Sequence, residues 1–243
     1  MNAVMQRKDT IKLKGEPVSN FESMDDWSQR YMKEGHIWGD APSITAARLA
    51  DKLGPASKVL EIGFGYGRDL TLMLEEGHRI YGIEKAAYGL SEATRQLQPY
   101  LDRGRAHLML GEFISAEVPQ ESFDAVYSHR VLHLLGENGL TQAFANRVAG
   151  ALKPGGLLAV SARDLRDFNP TQMDKISENL AVYKDRPTHK ISFWDKDRFN
   201  AIFGRKFEIL GFEESSEIES GKNPVPSYIT IMYARKKNEP TPL

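Results

Sequence analysis

The chain has 243 residues, 41% of them hydrophobic, enough for a sizeable buried core, and α/β folds of this length commonly form one domain. Its 32 Lys and Arg against 33 Asp and Glu leave a formal charge of −1, which argues against a broad polycationic surface for nucleic acid. Zero cysteines exclude disulfides, thiolate metal sites and cysteine nucleophiles together.

Residues 1–24 mix Arg7, Lys8, Asp9, Lys12, Lys14 and Glu16 with no apolar block, which predicts a flexible segment that is neither signal peptide nor anchor. No run of about 18 apolar residues occurs, so a cytoplasmic protein with no membrane partner is expected. An aromatic stretch follows, with Trp27 and Tyr31 and then Gly35-His36-Ile37-Trp38-Gly39. Packed as an amphipathic helix, Trp27 and Tyr31 would simply join the core.

The most informative stretch is residues 58–69, Lys-Val-Leu-Glu-Ile-Gly-Phe-Gly-Tyr-Gly-Arg-Asp. Val59 to Ile62 reads as a strand carrying Glu61, it breaks into Gly63, Gly65 and Gly67, and Asp69 to Glu76 reads as helix. Glycines let a backbone turn sharply and let a ligand lie against bare peptide groups, at the electropositive start of a helix. The dinucleotide fingerprint G-x-G-x-x-G needs a third glycine where Arg68 stands, and no Walker loop occurs in the chain. Acidic-x-Gly-x-Gly-x-Gly remains.

Arg79 to Ile83 alternates like a second strand and ends at Glu84, where Rossmann-like folds place an acid that accepts both ribose hydroxyls. Lys85 follows it. Ala106 to Leu110 is a third apolar strand, trailed by Gly111-Glu112-Phe113. Ser122 to Ser128 reads as a fourth. Leu152 to Val160 reads as a helix end, a Pro-Gly-Gly turn and a fifth strand. Residues 165–197, with Asn169-Pro170 and Arg186-Pro187, look too polar for strand and predict a helix-bearing insertion that shapes a substrate pocket. Lys206 to Gly211 and Tyr228 to Arg235 suit an antiparallel hairpin.

These motifs resemble those of the class I S-adenosylmethionine (SAM) dependent methyltransferases over roughly residues 25–237, with 238–243 as a tail. The acidic glycine turn resembles their first motif, and Lys153-Pro154-Gly155-Gly156 is typical of the turn before their fifth strand. The resemblance implies an α/β, Rossmann-like, seven-stranded and mostly parallel sheet closed by a C-terminal hairpin. It implies SAM as cofactor, held by Glu61, Gly63, Phe64, Gly65, Gly67, Arg68, Glu84, Lys85, Glu112, Phe113, Ser128 and His129. The aromatic stretch is similar to the N-terminal lid of the tellurite-resistance and thiopurine type of small-molecule methyltransferase. Tyr31 and Trp38 would then face the cofactor, since ring faces attract a sulfonium.

A small-molecule nucleophile is expected: sulfur, selenium or tellurium, or else an amine or hydroxyl. Ser128-His129-Arg130-Val131 stands where base-amino methyltransferases carry Asn/Asp-Pro-Pro-Tyr/Phe, and cytosine C5 and arsenite chemistry lack the thiolates they use. His129 is the candidate catalytic base, because it follows the fourth strand at the sheet edge where open α/β folds bind ligands. His133, four residues on, offers a weaker metal-pair reading, and no metal is expected. Arg163 and Asp164 would orient a substrate carboxylate or amine, or else form a local ion pair, and His36 and His189 read as incidental. An NAD-dependent oxidoreductase and a non-catalytic SAM-binding protein are the alternatives.

Overall fold

The computed structural model of the protein describes residues 25–136, 138–219 and 225–238. The expected 1–24 segment and residues 239–243 of the tail lie outside the described residues. Among those described, no helix is long and apolar enough to cross a membrane.

Five parallel strands, β1 (Lys58–Ile62), β2 (Arg79–Glu84), β3 (Ala106–Leu110), β4 (Phe123–Ser128) and β5 (Leu152–Arg163), join an antiparallel pair, β9 (Phe207–Glu219) and β10 (Val225–Lys236). The order is β3-β2-β1-β4-β5-β10-β9. Period-2 alternation splits each strand between two cores. Leu60, Val126 and Leu158 face one, with Phe144 of α5 (Asn138–Ala151) and Phe199 and Phe203 of α6 (Lys196–Phe203). Val59, Ala125 and Tyr127 face the other, against Ala46 and Leu49 of α2 (Ile44–Ala50), Leu70 and Met73 of α3 (Arg68–Glu75) and Leu90 of α4 (Ala87–Asp102). Both faces are covered, as a parallel sheet requires. The chain runs outward one way through β1, β2 and β3 and the other way through β4 and β5. The carboxyl ends of β1 and β4 therefore flank a crevice.

Lys153-Pro154-Gly155-Gly156 is a slip in register inside β5, whose pairing with β4 jumps from Phe123↔Leu152 to Ala125↔Leu157. The hairpin is longer than expected: Glu217 pairs with Ser227, well beyond the apolar segments that announced it.

The insertion needs a correction. Most of residues 165–197 is not the expected helix-bearing insertion: after a 3₁₀ turn at Leu165–Asp167, a three-stranded antiparallel sheet forms from β6 (Met173–Ser177), β7 (Leu180–Tyr183) and β8 (Arg186–Ser192), and helix returns only where α6 begins at Lys196. Only one face of the sheet is buried: Met173, Ala181, Tyr183, Ile191 and Phe193 pack together with Leu134 and Phe168. A half-solvated sheet needs few apolar residues, which is why the stretch reads as polar.

Gly67, the N-cap of α3, has φ +92°, and a Cβ there would lie 2.9 Å from the Cβ of Ala93 in α4. Gly67→Ala is therefore expected to destabilise the protein by about 1–3 kcal/mol, read as a lower denaturant midpoint. An unchanged midpoint would mean that α3 and α4 are not wedged at this glycine.

Candidate active site

The glycine turn is enclosed on several sides. Gly63 and Gly65 adopt φ +76° and +56°; a Cβ on Gly63 would lie 2.2 Å from Cγ2 of Val131, and one on Gly65 would lie 2.9 Å from the Tyr31 hydroxyl. The Gly65 N–H donates to Oε2 of Glu84 at 2.6 Å and the Ala86 N–H donates to Oε1 at 2.8 Å. Glu84 thus ties the tip of β2 to the turn while remaining on the cavity wall. Glu61, 2% exposed, accepts a hydrogen bond from the Tyr127 hydroxyl. Burial and the nearby Asp69 carboxylate push its pKa well above the ordinary carboxylate value, against the Tyr127 bond and Arg68. A ligand ammonium there would relieve that penalty.

Three residues of the turn and its helix hold the N-terminal segment over it. Tyr66 donates its hydroxyl proton to the Gly39 carbonyl (2.8 Å), accepts from the Trp38 N–H (3.0 Å) and stacks on His36 at 4.2 Å. Arg68 donates to the carbonyls of Trp38 (2.8 Å) and Ala41 (3.3 Å). Asp69 accepts from the backbone N–H and the hydroxyl of Ser43, both at 2.6 Å, and Ser43 in turn caps α2. The first helix, α1 (Asp26–Glu34), brings Trp27, Arg30 and Tyr31 to the same opening.

Glu217, reaching in from β9, joins these parts. Its carboxylate accepts from Arg68 Nη2 at 3.0 Å, from Arg130 Nε at 2.8 Å and from the Nε2 side of His129 at 2.8 Å. These cationic and donor neighbours hold Glu217 far below the usual carboxylate range despite its burial. Arg130 is held in the left-handed region, φ +60°, by bonds to the hydroxyl and carbonyl of Ser227, and its guanidinium lies 4.4 Å over the Trp38 ring. Such strain in a non-glycine residue persists only where surroundings over-determine it.

A cavity of about 340 Å³ runs from the glycine turn, past Tyr31, His129, Arg130 and Val131, to the three-stranded sheet. Glu61, Gly63, Phe64, Gly65, Arg68, Glu84, Lys85, Glu112, Phe113, Tyr31, Trp38 and His129 all line it. Gly67 and Ser128 do not: Gly67 starts α3, and the buried Ser128 hydroxyl donates to the Ile62 carbonyl at 2.9 Å. His129 has both ring nitrogens engaged, Nδ1 with the hydroxyls of Thr45 (2.9 Å) and Ser161 (3.0 Å) and Nε2 with Glu217. His133, on a 3₁₀ turn at Leu132–Leu134, is 3% exposed, and its Nδ1 meets no hydrogen-bond partner among the described residues. Burial and Arg163, Arg130, His189 and His129 lower its pKa well below 6.5, so the ring is neutral. Among the described residues no group of three metal-ligating side chains forms.

Sequence reading missed the far wall. Arg163 pairs with Asp167 at 2.9 Å and donates to the Tyr183 hydroxyl, while Asp164 pairs with Arg166, so each forms a local ion pair. His189 is not incidental, because it lines the cavity between Trp27 and Tyr183, each ring centroid 5.9 Å away. Tyr183, Arg186 and Ile191 arrive on strands that the polar insertion concealed.

A family model described as a methyltransferase domain matches residues 59–156. An uncharacterized methyltransferase of Geobacillus kaustophilus is 33% identical over 49% of this chain and 52% of its own length. A sterol 24-C-methyltransferase of Gibberella zeae is 23% identical over 82% of the chain and 53% of its own length. The chain spans about half the length of the curated relatives it matches. A solved Burkholderia thailandensis 1,6-didemethyltoxoflavin N1-methyltransferase, bound to 1,6-didemethyltoxoflavin and S-adenosylhomocysteine (SAH), shares the fold at TM-score 0.67 and 18% identity, over 88% of this chain and 86% of that one. A SAM-bound Haemonchus contortus phosphoethanolamine N-methyltransferase 2 aligns at TM-score 0.64 and 14% identity, over 87% of this chain and 57% of that one. Residues 59–156 thus match a methyltransferase domain, and the fold around them is shared with solved methyltransferases.

Because the folded pKa of Glu217 is depressed, its ion pairs stabilise the protein fully above the ordinary value of 4.5 and are lost as pH falls through the folded value. Glu217→Gln should destabilise the protein by about 3 kcal/mol at neutral pH, since it leaves Arg130 and Arg68 without their shared carboxylate. That deficit, measured by denaturant titration, should shrink only in acid; a deficit that is absent at pH 7 or grows in acid contradicts the network.

Proposed function

We propose that the protein is a SAM-dependent methyltransferase acting on a small molecule. The single observation that carries this reading is the Glu61, Gly63–Gly65 and Glu84 cradle opening into one continuous cavity with a second, separately built end. Glu61 offers a buried carboxylate to the cofactor ammonium, the bare turn admits its amino-acid end, Glu84 accepts the ribose hydroxyls, and Glu112 and Phe113 border the adenine. Bound there, SAM supplies a sulfonium methyl whose transfer forms a carbon–acceptor bond as the carbon–sulfur electron pair leaves with sulfur.

The chain's own residues align the acceptor and exclude water, and such alignment supplies much of the acceleration in a displacement. Tyr31 and Trp38, held down by Tyr66 and Arg68, cover the opening. For a hydroxyl or amine acceptor, the neutral His133 ring on the cavity wall suits proton removal better than His129, whose Nε2 would first have to part from Glu217. A soft sulfur, selenium or tellurium nucleophile, already ionised, needs neither. No finding favours the oxidoreductase alternative; transfer of label from SAM separates an enzyme from a SAM-binding protein.

Calorimetry is expected to show SAH but not NAD binding, with Glu84→Gln weakening SAH at least about tenfold; NAD binding in place of SAH, or an indifferent Glu84, overturns the assignment. For a hydroxyl acceptor, His133→Ala should lower kcat/KM by about a hundredfold, within the range for general-base loss. The wild-type rate should hold as pH falls through 6.5, because the His133 pKa lies well below that value. A larger loss in His129→Ala would return the base role to His129, and an inflection at 6.5 or above would contradict His133 as the base.

A further inference from the structure

We propose that Arg147 is a positioning residue for the adenine end of the cofactor site: from behind the cavity wall it fixes the loop that carries Glu112 and Phe113, and through them it sets the preference for adenine over other bases. This goes beyond the methyltransferase reading and rests on it.

Five consecutive residues after β3, Gly111 to Ser115, line the cavity. The Gly111 N–H donates to the Glu84 carbonyl at 2.9 Å, which ties the start of this loop to β2. Within the loop the bonds converge on one acceptor: the N–H groups of Ser115 (3.1 Å) and Ala116 (2.9 Å) and the Ser115 hydroxyl (3.3 Å) all donate to the Glu112 carbonyl. That closes a turn around Phe113 and leaves the carbonyls of Phe113 and Ala116 to be met from outside it.

Arg147, on α5, meets both. Its Nε donates to the Phe113 carbonyl at 2.9 Å and its Nη2 donates to the Ala116 carbonyl. A planar guanidinium presents these donors in a fixed fork, so the two carbonyls are held in one relation to each other, which the compact point charge of a lysine ammonium does not impose. The same guanidinium lies 5.5 Å from the centroid of the Phe113 ring. Arg147 thus grips both the backbone and the ring of one residue while standing outside the cavity lining.

Helical spacing explains why α5 can do this. Leu140, Phe144 and Arg147 lie four and three residues apart and share one face of the helix. Leu140 and Phe144 line the cavity, and the Phe144 ring packs edge to face with Phe113 at 5.3 Å. One helix therefore holds Phe113 by ring packing and by its carbonyl, and Glu112, the residue before it, takes its direction from that fixed backbone. Adenine carries an amino group that donates to a carboxylate, whereas hypoxanthine carries a carbonyl in its place, which a carboxylate repels. Displacing the loop blunts that distinction and leaves the contacts of the ribose in place.

The test is calorimetry on the full chain with SAH and with S-inosylhomocysteine, its hypoxanthine counterpart. The wild type is expected to favour SAH by at least about tenfold. Arg147→Met should narrow that ratio toward one, and Arg147→Lys, which keeps the charge without the fork, should fall between the two. Glu84→Gln should weaken both ligands and leave the ratio at its wild-type value, since a loss of ribose contacts or of general stability does not distinguish the bases. A wild-type ratio near one, a ratio that Arg147→Met leaves unchanged, or an equal narrowing in Glu84→Gln overturns the proposal. If Arg147→Met does not fold, an Arg147→Lys ratio equal to that of the wild type overturns it and a narrowed one supports it. Absence of SAH binding to the wild type would instead remove the methyltransferase reading beneath it.

Discussion

The site depends on five residues of backbone, Gly63 to Gly67, held with bare peptide groups toward the crevice. Three alternating glycines take positive φ there, and Val131, the Tyr31 hydroxyl and Ala93 crowd the places where their side chains would be. The turn is therefore determined by what surrounds it as well as by its own conformational freedom. Gly89 shows the same closeness from the opposite side, since a Cβ on it would lie 2.7 Å from the Gly65 carbonyl oxygen. Fixing the turn fixes the start of α3, and α3 presents Arg68 and Asp69 to the N-terminal segment.

From that constraint the rest of the site assembles through long-range polar contacts. Ser43, Asp69 and Thr45 anchor the segment that precedes β1, while Glu217, near the far end of the hairpin, meets Arg68, Arg130 and His129. Residues 149 positions apart, Arg68 and Glu217, form one of these contacts. The N-terminal cover, the glycine turn and the C-terminal hairpin thus share a single partly buried carboxylate. Burial makes each partner expensive to remove, so the network specifies how these three parts meet.

Local signals made the glycine-turn end of the cavity legible in the sequence. Val59 to Ile62 alternates and breaks into glycine, Arg79 to Ile83 alternates and ends in an acid, and the Pro-Gly-Gly turn precedes the fifth strand; each is decided by neighbours a few residues away. The far end of the cavity was not legible, for the opposite reason. Residues 173–192 form a sheet with one solvated face, so its strands lack a continuous apolar run, and its buried residues find partners on the 3₁₀ turn and at Phe168. His129 followed a strand at the right edge and lines the cavity, yet Thr45, Ser161 and Glu217 engage both its nitrogens, which no spacing announces. Glu217 lies in Glu213-Glu214-Ser215-Ser216-Glu217, a stretch that looks like a polar loop and is strand.

In the function proposed above, the glycine turn and Glu84 hold the adenosyl cofactor with its sulfur directed toward the end of the cavity at the three-stranded sheet. A crystal structure of the full chain grown with SAH would reveal that cofactor in place. Density is expected for the amino-acid portion against Gly63–Gly65 beside Glu61, and for the ribose hydroxyls at Glu84, with the sulfur facing the space between Tyr31 and His133. Density elsewhere on the protein, or a turn closed by its own side chains in crystals saturated with SAH, would contradict it.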